Sequence, residues 1–179
     1  MEGHVPRKRI LLVITDTPAA AGVEALCDGL NEFADVCVLC SRESTTFFNR
    51  FLLASRYRLI MDEDDQNQAV MIPPLLAWAE ALVVAPLSVQ KLAEIAGGHA
   101  VDFATRLVRS WDHGEKPMYL APDIPESMWY NGATEKLLQK CQDIKCHVMY
   151  PRFDGSMSPV DILVDDIKMG LDDISTGWY

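Results

Sequence analysis

Ala81-Leu82-Val83-Val84-Ala85 runs directly into Pro86-Leu87-Ser88, and then into Val89 to Ile95 ahead of Gly97-Gly98. Five apolar residues without alternation read as a strand buried on both faces. Ser88 supplies a helix N-cap and the paired glycines a stop, so the stretch is strand, tight loop and helix. The same unit recurs outward in both directions. Apolar strands are predicted at Arg9 to Ile14, Val36 to Cys40, Arg58 to Met61, Pro117 to Ala121 and Cys146 to Tyr150. Helices are predicted from Thr17-Pro18 through Phe33, over Ser44 to Ala54, up to Trp78, and over Val101 to Ser110. Two more are predicted over Glu126 to Cys141 and Val160 to Leu171. Strands alternating with helices predict a three-layer α/β fold, a doubly wound parallel sheet in a single domain. Its core spans about residues 8–150, with a divergent tail at 151–179.

Length and charge exclude several function classes. At 179 residues the chain is one domain in size. Sixteen basic against 26 acidic residues leave a net charge of −10. Nucleic acid and anionic membrane surfaces both need a basic footprint, and none is visible. Arg7-Lys8-Arg9 precedes only Ile10 to Ile14, too short an apolar run for a signal peptide or a membrane span. The odd count of five cysteines predicts reduced thiols and a cytoplasmic protein. Cys37 and Cys40 have the spacing of a redox or zinc pair. They fall inside a strand, however, where alternate side chains face opposite ways, so buried structural thiols are expected and no metal. The acidic run Asp62-Glu63-Asp64-Asp65 reads as a solvated loop.

Ligands of doubly wound sheets sit beyond the carboxyl ends of the strands, so the post-strand loops hold the candidate residues. Thr15, Asp16, Thr17 and Pro18 offer two hydroxyls and free helix N–H groups. That is either an anion cradle or a plain turn and N-cap. The loop lacks the glycines of a dinucleotide fingerprint, which excludes NAD, and Asp16 would repel a phosphate if it pointed inward. Ser41, Arg42 and Ser44 suit phosphate or ribityl hydroxyls, or simple capping. Ser88, Val89, Gln90 and Lys91 open a helix, where a lysine is unfavourable unless an anion lies near. The loop after the fifth strand holds Ile124 between Pro122 and Pro125, with Met128 and Trp129 able to pack on a planar ligand or in the core.

Taken together, several segments resemble the flavin-containing cysteine decarboxylase family, the phosphopantothenoylcysteine decarboxylase-like and halotolerance-type flavoproteins. The matching residues are Ala85-Pro86-Leu87-Ser88 through Gly97-Gly98, then Val108-Arg109-Ser110-Trp111-Asp112, Lys116-Pro117, and Ala121-Pro122 with Met128-Trp129. The family writes them A-P-L-S-A-N-T-x-A-K-x-A-x-G, R-A-W-D and P-A-M-N-x-x-M-W. The resemblance implies a flavodoxin-like or Rossmann-like fold that binds flavin mononucleotide (FMN). It places the phosphate at Thr15 to Pro18, with Lys91 offsetting Asp16, and completes the site with Ser41 to Ser44, Ser88 to Lys91, and Ile124. It also implies a trimer, homomeric or mixed with a homologous chain, with the flavin at a subunit boundary and the Trp111 and Trp129 region buried between chains.

The departures from the family bear on activity, a lyase step of coenzyme A biosynthesis. Asp16-Thr17 stand where the family has Gly-Ser, and Gln90-Lys91 where it has Asn-Thr. The active-site histidine falls on Ile72 and the carboxylate-holding asparagine on Pro125; no cysteine follows Cys146, and of the glycine-rich substrate clamp only Gly155-Ser156-Met157 remains. The nearest imidazoles are His99 and His113, both read as surface groups. The catalytic residues therefore stay unassigned. Three readings remain: a non-catalytic or regulatory flavoprotein, an active flavin-dependent decarboxylase of a cysteine-ended substrate or other FMN oxidoreductase, and a scaffold whose flavin site is empty.

Overall fold

The computed structural model describes residues 6–63 and 68–176, so Asp64 and Asp65 of the acidic run and both chain ends lie outside the description. Six strands form one sheet: β1 (Lys8–Ile14), β2 (Ala34–Cys40), β3 (Arg58–Met61), β4 (Ala81–Leu87), β5 (Met118–Pro122) and β6 (Cys146–Val148). Their order is β3-β2-β1-β4-β5-β6 and every pairing is parallel. Between them run α1 (Val23–Asn31), α2 (Arg50–Ala54), α3 (Gln68–Trp78), α4 (Val89–Ala96), α5 (Phe103–Ser110), α6 (Glu126–Trp129) and α7 (Gly132–Asp143), with α8 (Val160–Thr176) last.

The alternation within each strand divides the core in two. Ile10, Leu12 and Ile14 face one layer, built from Leu26 and Leu30 of α1 with Leu163, Ile167 and Leu171 of α8. Leu11 and Val13 face the other, built from Leu75 of α3, Leu92 of α4, Phe103 and Leu107 of α5, and Leu138 of α7. Both faces are covered, which is why the strands are continuously apolar. The tail is part of this core, not an appendage to it.

Some sequence expectations need correction. The first predicted helix is a 3-10 helix over Pro18–Gly22 followed by α1, with Gly22 at the junction. The helix expected over Ser44 to Ala54 is a 3-10 helix over Glu43–Thr46 and then α2 from Arg50, restarted where the Asn49 side chain accepts from the N–H groups of Phe51 and Leu52. The one expected over Glu126 to Cys141 is two helices, restarted where Asn131 accepts from Ala133 N–H at 2.9 Å. An amide or hydroxyl side chain that bonds its own downstream backbone resets a helix inside an otherwise periodic pattern. Trp111 is 4% exposed and packs in the second layer, so it offers no surface to a neighbouring chain. Trp129 is half-buried and meets Tyr150 edge-on, with ring centres 6.3 Å apart.

Strands β1 and β4 are hydrogen-bonded neighbours, yet the chain leaves them toward opposite edges of the sheet. A crevice opens at such a switch point, beyond the carboxyl ends of the strands.

Candidate functional site

That crevice is a cleft of about 440 Å³, within the range of small-molecule sites. Its floor is the ends of β1 and β2, Val13-Ile14 and Leu39-Cys40, and its sides are the loop after β1, the loop after β2 and the start of α4. Of the twelve residues singled out from the sequence, Thr15, Asp16, Ser41, Ser88, Gln90 and Lys91 line it. The topology explains why: loops that follow parallel strands must emerge at the same end of the sheet.

Inside this cleft the hydroxyls are largely engaged. Thr15 Oγ1 donates to the Pro86 carbonyl at 2.7 Å and accepts from Ser88 N–H at 2.8 Å, tying the loops after β1 and β4 together. Ser88 Oγ accepts from Lys91 N–H at 3.1 Å as the cap of α4. The first-turn N–H groups of Val89 and Gln90 have no acceptor among the described residues. Val89's side chain packs on the second core layer.

Lys91 departs from expectation. Its Nζ is paired with Glu94 at 2.8 Å and with Asp102, so the anion that a first-turn lysine calls for is the protein's own. Burial alone would lower its pKa, but the hydrogen bonds it donates to these two carboxylates outweigh it and hold the ammonium above its ordinary value. It is not free to offset Asp16, which is exposed at the cleft and meets no cation among the described residues.

The other candidates are not brought into the cleft. Thr17 takes the N-cap position without a cap bond, and its buried Oγ1 has no partner among the described residues. The N–H of Ala19 is taken instead by Asp123 Oδ2 at 3.3 Å, from the loop after β5. Pro18 and Ile124 border a separate depression with Asp123, Pro125 and Arg152. Ile124 itself is 2% exposed and donates its N–H to the Gly155 carbonyl at 2.9 Å. Arg42 does not line the cleft but pairs at its rim with Glu63, which does, at 3.0 Å. Ser44 is fully buried and donates its hydroxyl to the Ser41 carbonyl at 2.7 Å. Sequence reasoning missed Asp123, Glu94 and Asp102. Asp102 and Glu94 carry local signals, since Asp102 and Thr105 form a capping box at the start of α5 and Glu94 stands three residues after Lys91 on α4.

None of the three described histidines lines the cleft. His99 is exposed beyond α4, and His113 and His147 border a groove along β6, where His147 stacks on Tyr119. Ile72 is half-buried against the second core layer, and Pro125 is exposed at the start of α6. Cys37 and Cys40 fall on opposite sheet faces, as the strand alternation requires. Burial pushes the Cys40 thiol up to about 11. Among the described residues no group of three or more His, Cys, Asp or Glu could hold a metal, and no helix is long and apolar enough to cross a membrane.

Tested against a flavin, the cleft fits in part. Val13, Ile14, Leu39, Val101 and Ala104 give apolar surface to a ring, Ser41 and Ser88 give hydroxyls, and the Gln90 N–H gives a free donor.

Comparison with known proteins agrees with this geometry. The family model described as Flavoprotein matches residues 1–172. Phosphopantothenoylcysteine decarboxylase of Oryza sativa subsp. japonica is 34% identical over 142 residues, 76% of this chain and 64% of that protein. Its counterpart from Arabidopsis thaliana is 33% identical over 153 residues, 82% of this chain and 73% of that protein. Among solved structures, a PPC decarboxylase mutant superposes with a TM-score of 0.87 at 28% identity, covering 93% of this chain and 99% of that one. The FMN binding protein AtHal3 also superposes at 0.87, with 27% identity over 94% of this chain and 98% of its own.

Proposed function

The chain belongs to the flavoprotein family of phosphopantothenoylcysteine decarboxylase-like proteins, and from that membership we propose that it binds FMN in the switch-point cleft as a non-catalytic or regulatory homologue. The observation that carries this reading is the absence of any imidazole from the described lining of the cleft. A flavin, when bound, supplies two-electron oxidation of a thiol. This chain's own residues would hold the ring against Val13 and Leu39 and present the Gln90 backbone N–H to the polar end. Proton transfer by a positioned general acid–base contributes typically about 10²–10⁴-fold. Ile72 and Pro125, at the positions where the family resemblance places histidine and asparagine, supply neither a proton nor a side-chain hydrogen bond.

The proposal includes assembly as a homotrimer, or as a mixed trimer with a homologous chain carrying the missing groups. Helix α3 supports it, since it leaves Val70, Pro73, Pro74 and Ala77 exposed on one apolar stripe. A second reading, turnover of a cysteine-ended substrate by this chain alone, draws on Arg152, which stands in the same depression as Pro125 and could meet a carboxylate. The deciding experiment has three readouts on the purified protein: its absorbance spectrum after FMN titration, its mass by light scattering, and its turnover of phosphopantothenoylcysteine with and without a histidine-bearing partner chain. FMN uptake without turnover by the chain alone is the expected result. Turnover by the chain alone promotes the enzyme reading, and a colourless, non-binding protein defeats the flavin reading.

A further inference from the structure

Resting on the flavin reading, we propose that Asp16 and its neighbouring carboxylates invert the charge at the polar end of the cleft, so that phosphate costs affinity and riboflavin binds at least as tightly as FMN. The cleft is lined by Asp16, Glu43, Asp62, Glu63, Glu94 and Asp102, against one ammonium, Lys91. That ammonium is already committed to Glu94 and Asp102, and the nearby Arg42 to Glu63. Asp62 accepts Phe103 N–H at 2.8 Å, so its carboxylate is held in place by α5. Asp16, the charged residue of the β1 loop, is exposed, with no cation opposite it among the described residues.

The neutral donors on the β1 and β2 loops are mostly engaged, the Thr17 and Ser41 hydroxyls excepted. Thr15 and Ser44 donate their hydroxyls to backbone carbonyls, and Asp123 already occupies the Ala19 N–H at the start of the first helical turn. The positive feature that remains among the described residues of the cleft is the first turn of α4, whose dipole amounts to roughly half a positive charge. A phosphate monoester carries about −1.5 to −2 at neutral pH, whereas the isoalloxazine ring and ribityl chain are uncharged. Half a charge of attraction does not offset repulsion from a cleft whose six carboxylates meet two cations, Lys91 and Arg42, both already paired with them. The apolar floor and the Ser41 and Ser88 hydroxyls, by contrast, are indifferent to the phosphate. The discrimination therefore falls on the phosphate alone.

The test is fluorescence titration of the full chain with riboflavin and with FMN, at low and high salt. Wild-type protein is expected to bind riboflavin as tightly as FMN or more tightly. FMN affinity should rise as sodium chloride goes from about 50 to 500 mM, because salt screens repulsion. Replacing Asp16→Asn should raise FMN affinity about tenfold, the effect of one carboxylate a few ångströms from a phosphate near a protein surface, and should leave riboflavin within about twofold. FMN binding tenfold tighter than riboflavin, or falling with salt, overturns the proposal while leaving the flavin reading intact. The same holds if Asp16→Asn leaves FMN affinity unchanged. Binding of neither flavin overturns both.

Discussion

Gly155 and Ile124 lock together backbone to backbone: Ile124 N–H donates to the Gly155 carbonyl at 2.9 Å, and a methyl group on Gly155 would lie 2.0 Å from the Ile124 carbonyl oxygen. The contact carries the 152–158 turn onto the loop after β5, where Asp123 also accepts Met157 N–H at 3.0 Å. Gly155 adopts φ +84, a left-handed conformation that suits glycine.

Gly155→Ala should therefore destabilise the protein by about 3–5 kcal/mol, since the clash is with backbone and no side chain can yield. Gly132→Ala is the control. Nothing lies within 4 Å of its added methyl group, so it should be neutral or stabilise by up to about 1 kcal/mol. Urea unfolding of the two variants checks both values. A Gly155→Ala variant as stable as the Gly132→Ala one would show that the turn does not dock.

Thr17→Val should stabilise the flavin-free protein by roughly 1–2 kcal/mol, because it removes a buried hydroxyl that has no partner among the described residues. Thermal unfolding should show a rise of a few degrees at this chain length. If the hydroxyl is held in reserve for a ligand, the same variant will bind flavin less tightly than wild type, and titration reads that out separately.

Lys91→Met should cost about 1–3 kcal/mol, since Glu94 and Asp102 are left part-buried without their cation. Burial would raise the Asp102 pKa, but its bonds from Lys91 and Thr105 outweigh that and hold it below the usual carboxylate value. Its contribution is thus present above that usual value and lost as pH falls through the lowered one. Lys91 is held above its ordinary value, so its contribution is present below that value and lost as pH rises through the raised one. The stability difference between wild type and Lys91→Met should be flat from about pH 5 to 9 and shrink at both extremes.

All five cysteines are free and buried. Burial pushes Cys40 and Cys141 up to about 11, and Cys27 and Cys146 up to about 12. A thiol reagent at pH 8 should find almost no reactive thiol in the native protein and five after denaturation. Rapid native reaction at any one site would mean that the covering layer opens there.

Local chemistry was legible wherever a residue and its partner are close in sequence. Arg58–Met61 and the Ser88 cap of α4 agree with the sequence reading, because strand apolarity and capping are both local. The strand-end loops also announced which end of the sheet carries the cleft. The charge balance within it was not legible. Lys91 is satisfied by Asp102 eleven positions away, and the first helical turn by Asp123, which is 104 positions from Ala19. No short window contains both partners of these two pairs, and Glu94, three positions from Lys91, does not by itself tell a lysine already matched from one awaiting a ligand. Trp111 was misplaced at the surface for a related reason: its indole N–H donates to the Lys116 carbonyl at 3.2 Å, which lets a polar-tipped ring enter the core.

Helix α8 lies against α1, with Val164 against Gly29 and Leu163, Ile167 and Leu171 closing the layer that α1 begins. During synthesis these partners leave the ribosome far apart in time. Leu26 and Leu30 emerge early and stay without their cover until the last helix follows. Every interrupted product that lacks α8 thus carries an open leucine face, the kind of surface by which chaperones and proteases sort unfinished chains from finished ones.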